Sequence, residues 1–225
     1  MNYQLIGSTV PAVETTLNAG ESMFTQSGGM IWQTEGITMT TNARGGLGRS
    51  LGRMFTGESI FMANYTSTVN GAKIAFGATC PGSIVPVDIS RGELIVQKGA
   101  FLAAEQTVDL KATFTKRLSA GLFGGEGFIL QRLFGYGMAF LEVDGDMVDR
   151  VLAPGEVLKV DTGNVVAFDI SVKYEVETVK GLGNIFFGGE GLFLTKLTGP
   201  GRIILQTQNF SDFAMRIASR IPAKG

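Results

Sequence analysis

One eight-residue phrase recurs in this chain, and that recurrence limits the fold more than any other feature. Phe123-Gly124-Gly125-Glu126-Gly127-Phe128-Ile129-Leu130 returns as Phe187-Gly188-Gly189-Glu190-Gly191-Leu192-Phe193-Leu194. A looser form, Phe55-Thr56-Gly57-Glu58-Ser59-Ile60-Phe61, precedes both. Such self-similarity means that one small structural unit is used repeatedly. A second phrase opens each unit: Leu17-Asn18-Ala19-Gly20-Glu21, Ile89-Ser90-Arg91-Gly92-Glu93 and Leu152-Ala153-Pro154-Gly155-Glu156. A third landmark follows at Asn70-Gly71, Gly135-Tyr136-Gly137 and Gly199-Pro200-Gly201. From opening to middle glycine the steps are 37, 33 and 34 residues, and from middle to last they are 14, 12 and 12. Chance glycines would not keep both order and spacing, so the chain reads as a triplication with units 1–88, 89–151 and 152–225.

The segments between landmarks read as strands. Val108, Leu110, Ala112 and Phe114 alternate with Asp109, Lys111, Thr113 and Thr115, the period of a half-buried strand. Ile170, Val172, Tyr174 and Val176 repeat the pattern against Ser171, Lys173, Glu175 and Glu177, and Ile37, Met39 and Thr41 carry a weaker version. Apolar strands follow the last landmark at Lys73–Phe76, Met138–Val143 and Arg202–Gln206. The opening Gly20, Gly92 and Gly155 are expected at positive φ in tight turns. Only the C-terminus changes period: Phe213, Ile217 and Ile221 fit a short helix capped by Ser211 and ended by Pro222. The expectation is an all-β protein of three small domains with one C-terminal helix. A unit of this size makes a marginal core, so the units should pack on one another.

Composition excludes several functions. The 225-residue chain has a net charge of −1, which gives no strong electrostatic grip on nucleic acid. It has no His, the commonest general base and metal ligand. The lone Cys80 cannot form an internal disulfide; it fits a reducing compartment and reads as a small apolar residue before a turn. No N-terminal targeting pattern and no spanning apolar run is read, so a cytoplasmic protein is expected.

Candidate sites are few. Glu58, Glu126 and Glu190, with Glu21, Glu93 and Glu156, recur in every unit, which suits turn positions better than a catalytic pair. Gly57, Gly125 and Gly189 are their structural neighbours. The glycine-rich run from Arg44 through Arg49 to Arg53 is the one candidate anion-binding loop, yet it lacks the Lys-Ser/Thr ending of a phosphate loop. No catalytic residue, metal ligand or cofactor is expected. Phe61, Phe128 and Phe193 fall at equivalent places and are expected in the core.

Gly99-Ala100-Phe101-Leu102-Ala103, then Gly124-Gly125-Glu126-Gly127, Gly135-Tyr136-Gly137, Gly189-Glu190-Gly191 and Thr198-Gly199-Pro200-Gly201, resemble the mitochondrial biogenesis family of the altered-inheritance-of-mitochondria type. The resemblance covers nearly the whole chain. It implies three domains similar to the tryptophan RNA-binding attenuation protein (TRAP), each a short double-stranded β-helix, in a pseudo-threefold arrangement. It also implies a homotrimer closing a ring, and an association with membranes. Lys73 and Arg202 occupy similar places but Met138 or Ala139 replaces them in the second unit, so the RNA-binding activity is not implied. The expectation is a non-enzymatic, ring-forming scaffold that binds a protein partner or a membrane surface. The alternative is a ligand- or nucleic-acid-binding regulator on the same ring.

Overall fold

The structure, a computed structural model, describes residues 1–26, 28–43, 61–116, 128–178, 193–218 and 220–221. Among the described residues one extra strand, β1 (Asn2–Ile6), precedes three consecutive sets of six. The first set is β2 (Ala12–Leu17), β3 (Ser22–Gln26), β4 (Met30–Gln33), β5 (Ile37–Ala43), β6 (Phe61–Ser67) and β7 (Ala72–Gly77). The second is β8 (Gly82–Asp88), β9 (Leu94–Gln97), β10 (Phe101–Glu105), β11 (Val108–Lys116), β12 (Phe128–Gly135) and β13 (Met138–Asp144). The third is β14 (Met147–Leu152), β15 (Val157–Asp161), β16 (Val165–Asp169), β17 (Lys173–Thr178), β18 (Phe193–Thr198) and β19 (Gly201–Gln206). A helix, α1 (Phe210–Ala218), follows.

Strand pairing repeats with the sets. Among the described residues four sheets run β1-β2-β7-β4, β5-β6-β3-β10-β13-β8, β11-β12-β9-β16-β19-β14 and β15-β18-β17. Within every set the first, sixth and third strands are neighbours in that order, and so are the second, fifth and fourth. Each six-stranded sheet is made where the second strand of one set pairs with the third strand of the next, β3 with β10 and β9 with β16. The sequence division at residues 88 and 151 falls at the end of the first strand of a set, because the glycine turns that flag it follow that strand.

The chain divides into two compact units. One holds Met1–Gly92, Phe101–Ala112 and Leu133–Glu142; the other holds Glu93–Ala100, Thr113–Arg132 and Val143–Gly225. The core of the first includes Leu17, Met23, Ile74, Phe76, Leu102 and Phe140, with Tyr65 edge-on to Phe76 at 5.9 Å. That of the second includes Ile95, Phe128, Leu130, Phe168, Leu197 and Ile203, with Phe168 tilted against Tyr174 at 5.3 Å. Burying one such side chain contributes about 1.5–3 kcal/mol.

The third strand of every set carries a bulge at the same place. Partners of β7 skip from Met30 to Trp32, those of β13 from Phe101 to Ala103, and those of β19 from Val165 to Ala167. Ile31, Leu102 and Val166 are therefore the extra residues, and a bulge sharpens the local twist of each strand. Just beyond it, a side-chain oxygen caps the start of the sixth strand in all three sets. Thr34 Oγ1 accepts from the Lys73 amide at 2.9 Å, Glu105 Oε2 from that of Met138 at 2.6 Å and Asp169 Oδ2 from that of Arg202 at 2.7 Å.

Some sequence expectations change. Ile37 is half-buried against the core and Met39 and Thr41 are exposed, β5 being an outermost strand among the described residues. Ile170 lies in the turn before β17, where the Val172 amide donates to the Asp169 carbonyl, and is exposed; Val172 is buried as expected. Asn209, not Ser211, caps α1: its Oδ1 accepts from the Asp212 amide at 2.8 Å while the Asp212 carboxylate receives the Asn209 side-chain N–H at 2.9 Å. Pro222 lies outside the described residues.

The cap at the sixth strand gives a direct test. Asp169→Ala leaves the half-buried Arg202 amide without its acceptor and should cost about 1–3 kcal/mol. The urea midpoint should fall with an unchanged slope.

Candidate functional site

The recurring sequence positions divide into those the structure describes and those outside it. Arg44, Arg49, Arg53, Gly57, Glu58, Gly125, Glu126, Gly189 and Glu190 all lie outside the described residues. Of the opening glycines, Gly20 (φ +88°) and Gly155 (φ +78°) sit in the left-handed region that disfavours a side chain. Gly92 does not: at φ 160° it has extended backbone, because the second set opens with a short 3₁₀ turn, Ile89–Arg91, capped by Asp88. The following glutamates divide the same way. Glu21 Oε2 accepts from the Asn18 amide at 2.7 Å and Glu156 Oε2 from that of Ala153 at 2.9 Å, each closing its own turn. Glu93 instead receives Arg132 Nε at 2.7 Å.

Lys73 and Arg202 stand level on the sixth strands, and each meets a carboxylate from the first strand beside it. Lys73 Nζ lies 2.9 Å from Glu14 Oε1; Arg202 grips Asp149 through Nε at 2.9 Å and Nη2 at 2.8 Å. Glu14 also accepts from Trp32 Nε1 and Gln4 Nε2. The Lys73 bond, then the Trp32 bond, holds the Glu14 carboxyl below its ordinary value; the Arg202 bond does the same for Asp149. These cations are engaged, not displayed for phosphates.

Cys80 is buried, and no group of three or more Cys, Asp or Glu among the described residues is arranged to hold a metal ion. Phe128 is fully buried as expected and Phe193 half-buried. Among the described residues no helix is long and apolar enough to cross a membrane. Helix α1 has no buried residue, and Phe210, Phe213, Ile217 and, just beyond it, Ile221 stay exposed along one stripe.

The most informative surface is a pair of sheet edges. Second strands join third strands twice within the chain, but the third strand of the first set, β4, and the second strand of the last set, β15, have no such neighbour among the described residues. Burial follows the same division. The bulged Leu102 and Val166 are 3% and 0% exposed, whereas their counterpart Ile31 is 49% exposed. Ala103 and Ala167 are sealed, but Trp32 is 42% exposed. On the other side, Phe24 and Ile95 are buried while their counterpart Lys159 is exposed. Periodicity could not reveal this, because it reports which face of a strand is apolar and not which edge is paired.

The ion pairs give the protein an acid limb. The folded values of Glu14 and Asp149 lie below the ordinary ones, so their stabilisation is complete above the ordinary carboxylate range and is lost as pH falls through the depressed values. Asp149→Asn should flatten the decline of the urea midpoint below about pH 4 relative to the parent protein; an unchanged acid limb would show that this pair contributes nothing.

The family model for mitochondrial biogenesis AIM24 matches residues 3–208. An uncharacterized protein of Streptococcus pyogenes serotype M6 is 29% identical over 220 residues, covering 94% of this chain and 87% of its own length. A crystal structure of a protein from Streptococcus pyogenes matches with a TM-score of 0.79 and 27% identity, over 98% of this chain and 99% of that one. With the repeat glycines, the strand order and a match over nearly its whole length in agreement, the chain belongs to the mitochondrial biogenesis AIM24 family.

Proposed function

We propose that the protein is a non-enzymatic scaffold whose copies join head to tail into a closed ring, a trimer, and which acts by binding partners on that ring. Each six-strand set is read as one short double-stranded β-helix of the TRAP type. The observation that carries the reading is the contrast in burial between third strands joined to a second strand and the one, β4, with no such neighbour among the described residues. Ile31 and Trp32 are exposed where Leu102, Ala103, Val166 and Ala167 are sealed. An open edge with exposed apolar side chains is a template for strand addition. Two different edges on one chain make a heterologous contact, which builds a ring when the rotation closes and a filament when it does not. The engaged state of Lys73 and Arg202 speaks against the nucleic-acid alternative.

Light scattering on the intact protein should give a multiple of 23.9 kDa, expected threefold. Trp32 is the only Trp in the chain, so its emission should move to longer wavelength when dilution separates the copies. A monomer at all concentrations would end the ring reading.

The partner is inferred to include a membrane surface reached through α1. Its exposed stripe of Phe210, Phe213 and Ile217 has the spacing of an interfacial helix, with Arg216 in the last turn. Phe213→Glu with Ile217→Glu should abolish co-sedimentation with anionic phospholipid vesicles while leaving the oligomer intact. Parent protein that ignores the vesicles would remove the membrane from the reading.

A further inference from the structure

The two internal joints allow the register of the joint between copies to be derived. We infer that β15 of one copy pairs antiparallel with β4 of the next, with Val160 opposite Trp32, Lys159 opposite Gln33 and Leu158 opposite Thr34. This rests on the head-to-tail reading and deepens it.

The derivation uses strand equivalences fixed by pairing inside each set. Met30, Phe101 and Val165 sit just before the bulge, so Trp32, Ala103 and Ala167 are equivalent, as are Gln33, Ala104 and Phe168. On the second strands, Ser22 faces Thr66 and Val157 faces Thr198, each at the matching end of the fifth strand, so Met23, Phe24 and Thr25 correspond to Leu158, Lys159 and Val160. The first internal joint places Ala103, Ala104 and Glu105 opposite Thr25, Phe24 and Met23. The second places Ala167, Phe168 and Asp169 opposite Val96, Ile95 and Leu94. Both joints set the same third-strand residues against the three buried residues of the second strand, Met23–Thr25 and Leu94–Val96; the last set shares the opening turn of the first, so carrying the first joint to the open edges produces the three pairs above.

The side chains support that register. The outer pair of Trp32 and Val160 is apolar on both sides and would cover the exposed indole. The central pair changes character: Ala104 with Phe24 and Phe168 with Ile95 are apolar and buried, whereas Gln33 with Lys159 is polar. A joint that forms only between separate molecules must have edges that stay soluble before they meet, and a Lys on the edge does this. Lys159 is held by Glu177 at 2.7 Å in the single chain, so its charge keeps a partner. The length of β4 agrees: it stops at Gln33, while the joined strands β10 and β16 run on to Glu105 and Asp169, the equivalents of Thr34.

Paired cysteines read the register directly. Residues directly opposite in an antiparallel pair have Cα atoms about 4.5–5.5 Å apart, within disulfide reach. In full-length protein carrying Cys80→Ala, Gln33→Cys with Lys159→Cys should form covalent multimers under mild oxidation. Gln33→Cys with Val157→Cys, displaced along the strand, should form about tenfold fewer. Light scattering of the reduced proteins runs alongside. Oligomers that cross-link equally in both variants, not at all, or only within one chain would overturn the register while leaving the ring standing. Monomeric reduced parent protein would overturn both. Slower amide exchange at residues 31–34 and 158–160 in concentrated than in dilute parent protein is expected as well, and equal exchange would also overturn the joint.

Discussion

Backbone hydrogen bonding at strand edges is the constraint on which this structure depends. A six-strand set yields two three-stranded sheets, and each is too narrow to bury both its faces and its edges. The chain meets this by running the second strand of one set against the third strand of the next, which makes three-stranded pieces into six-stranded sheets. The bulge in the third strand and the side-chain cap on the sixth recur in all three sets, the first included, whose third strand has no joint among the described residues. One re-aims the strand, and the other satisfies the first amide of its neighbour. The same need leaves β4 and β15 as the two places where the rule has no partner among the described residues.

The three sets are not identical, and the differences are chemically consistent. The first and third sets tie first to sixth strand with an ion pair, Glu14 to Lys73 and Asp149 to Arg202. In the second set Met138 stands level with the two cations, and the neighbouring β8 carries Pro86, which lacks an amide and suits an outermost strand. The opening turn changes there too, from a glycine in the left-handed region to a 3₁₀ turn held by Asp88, whose carboxyl is kept below its ordinary value by the Ser90 bonds. The middle set keeps its ion pair elsewhere, between Glu93 just before β9 and Arg132 on β12.

Much of the fold was legible in one sequence. The sixth strands at Lys73–Phe76, Met138–Val143 and Arg202–Gln206 were placed almost to the residue, because an apolar run after a glycine turn is a local signal. The level position of Lys73 and Arg202 was legible as well. Their partners Glu14 and Asp149 were not, although a carboxylate recurring on the first strands was a usable signal. Gly71 was aligned with Gly137 and Gly201 as a turn residue, yet pairing with the third strand puts Ala72 level with them, since turn residues can shift by one without disturbing the ladder. Ser211 looked like a cap because it precedes an apolar stripe; Asn209 does the capping because its Oδ1 reaches the Asp212 amide.

By itself the sequence determined that this protein is built from a repeated β-unit, where its turns fall, and which residues alternate in and out. Those properties are carried by neighbours a few positions apart. Only the tertiary structure decided which strands share an edge and that Ile31 and Trp32 stay exposed where their counterparts are sealed. Edge pairing joins residues about 70–80 positions apart. No local pattern encodes such a contact, because the same alternating strand satisfies its own periodicity whichever neighbour it meets.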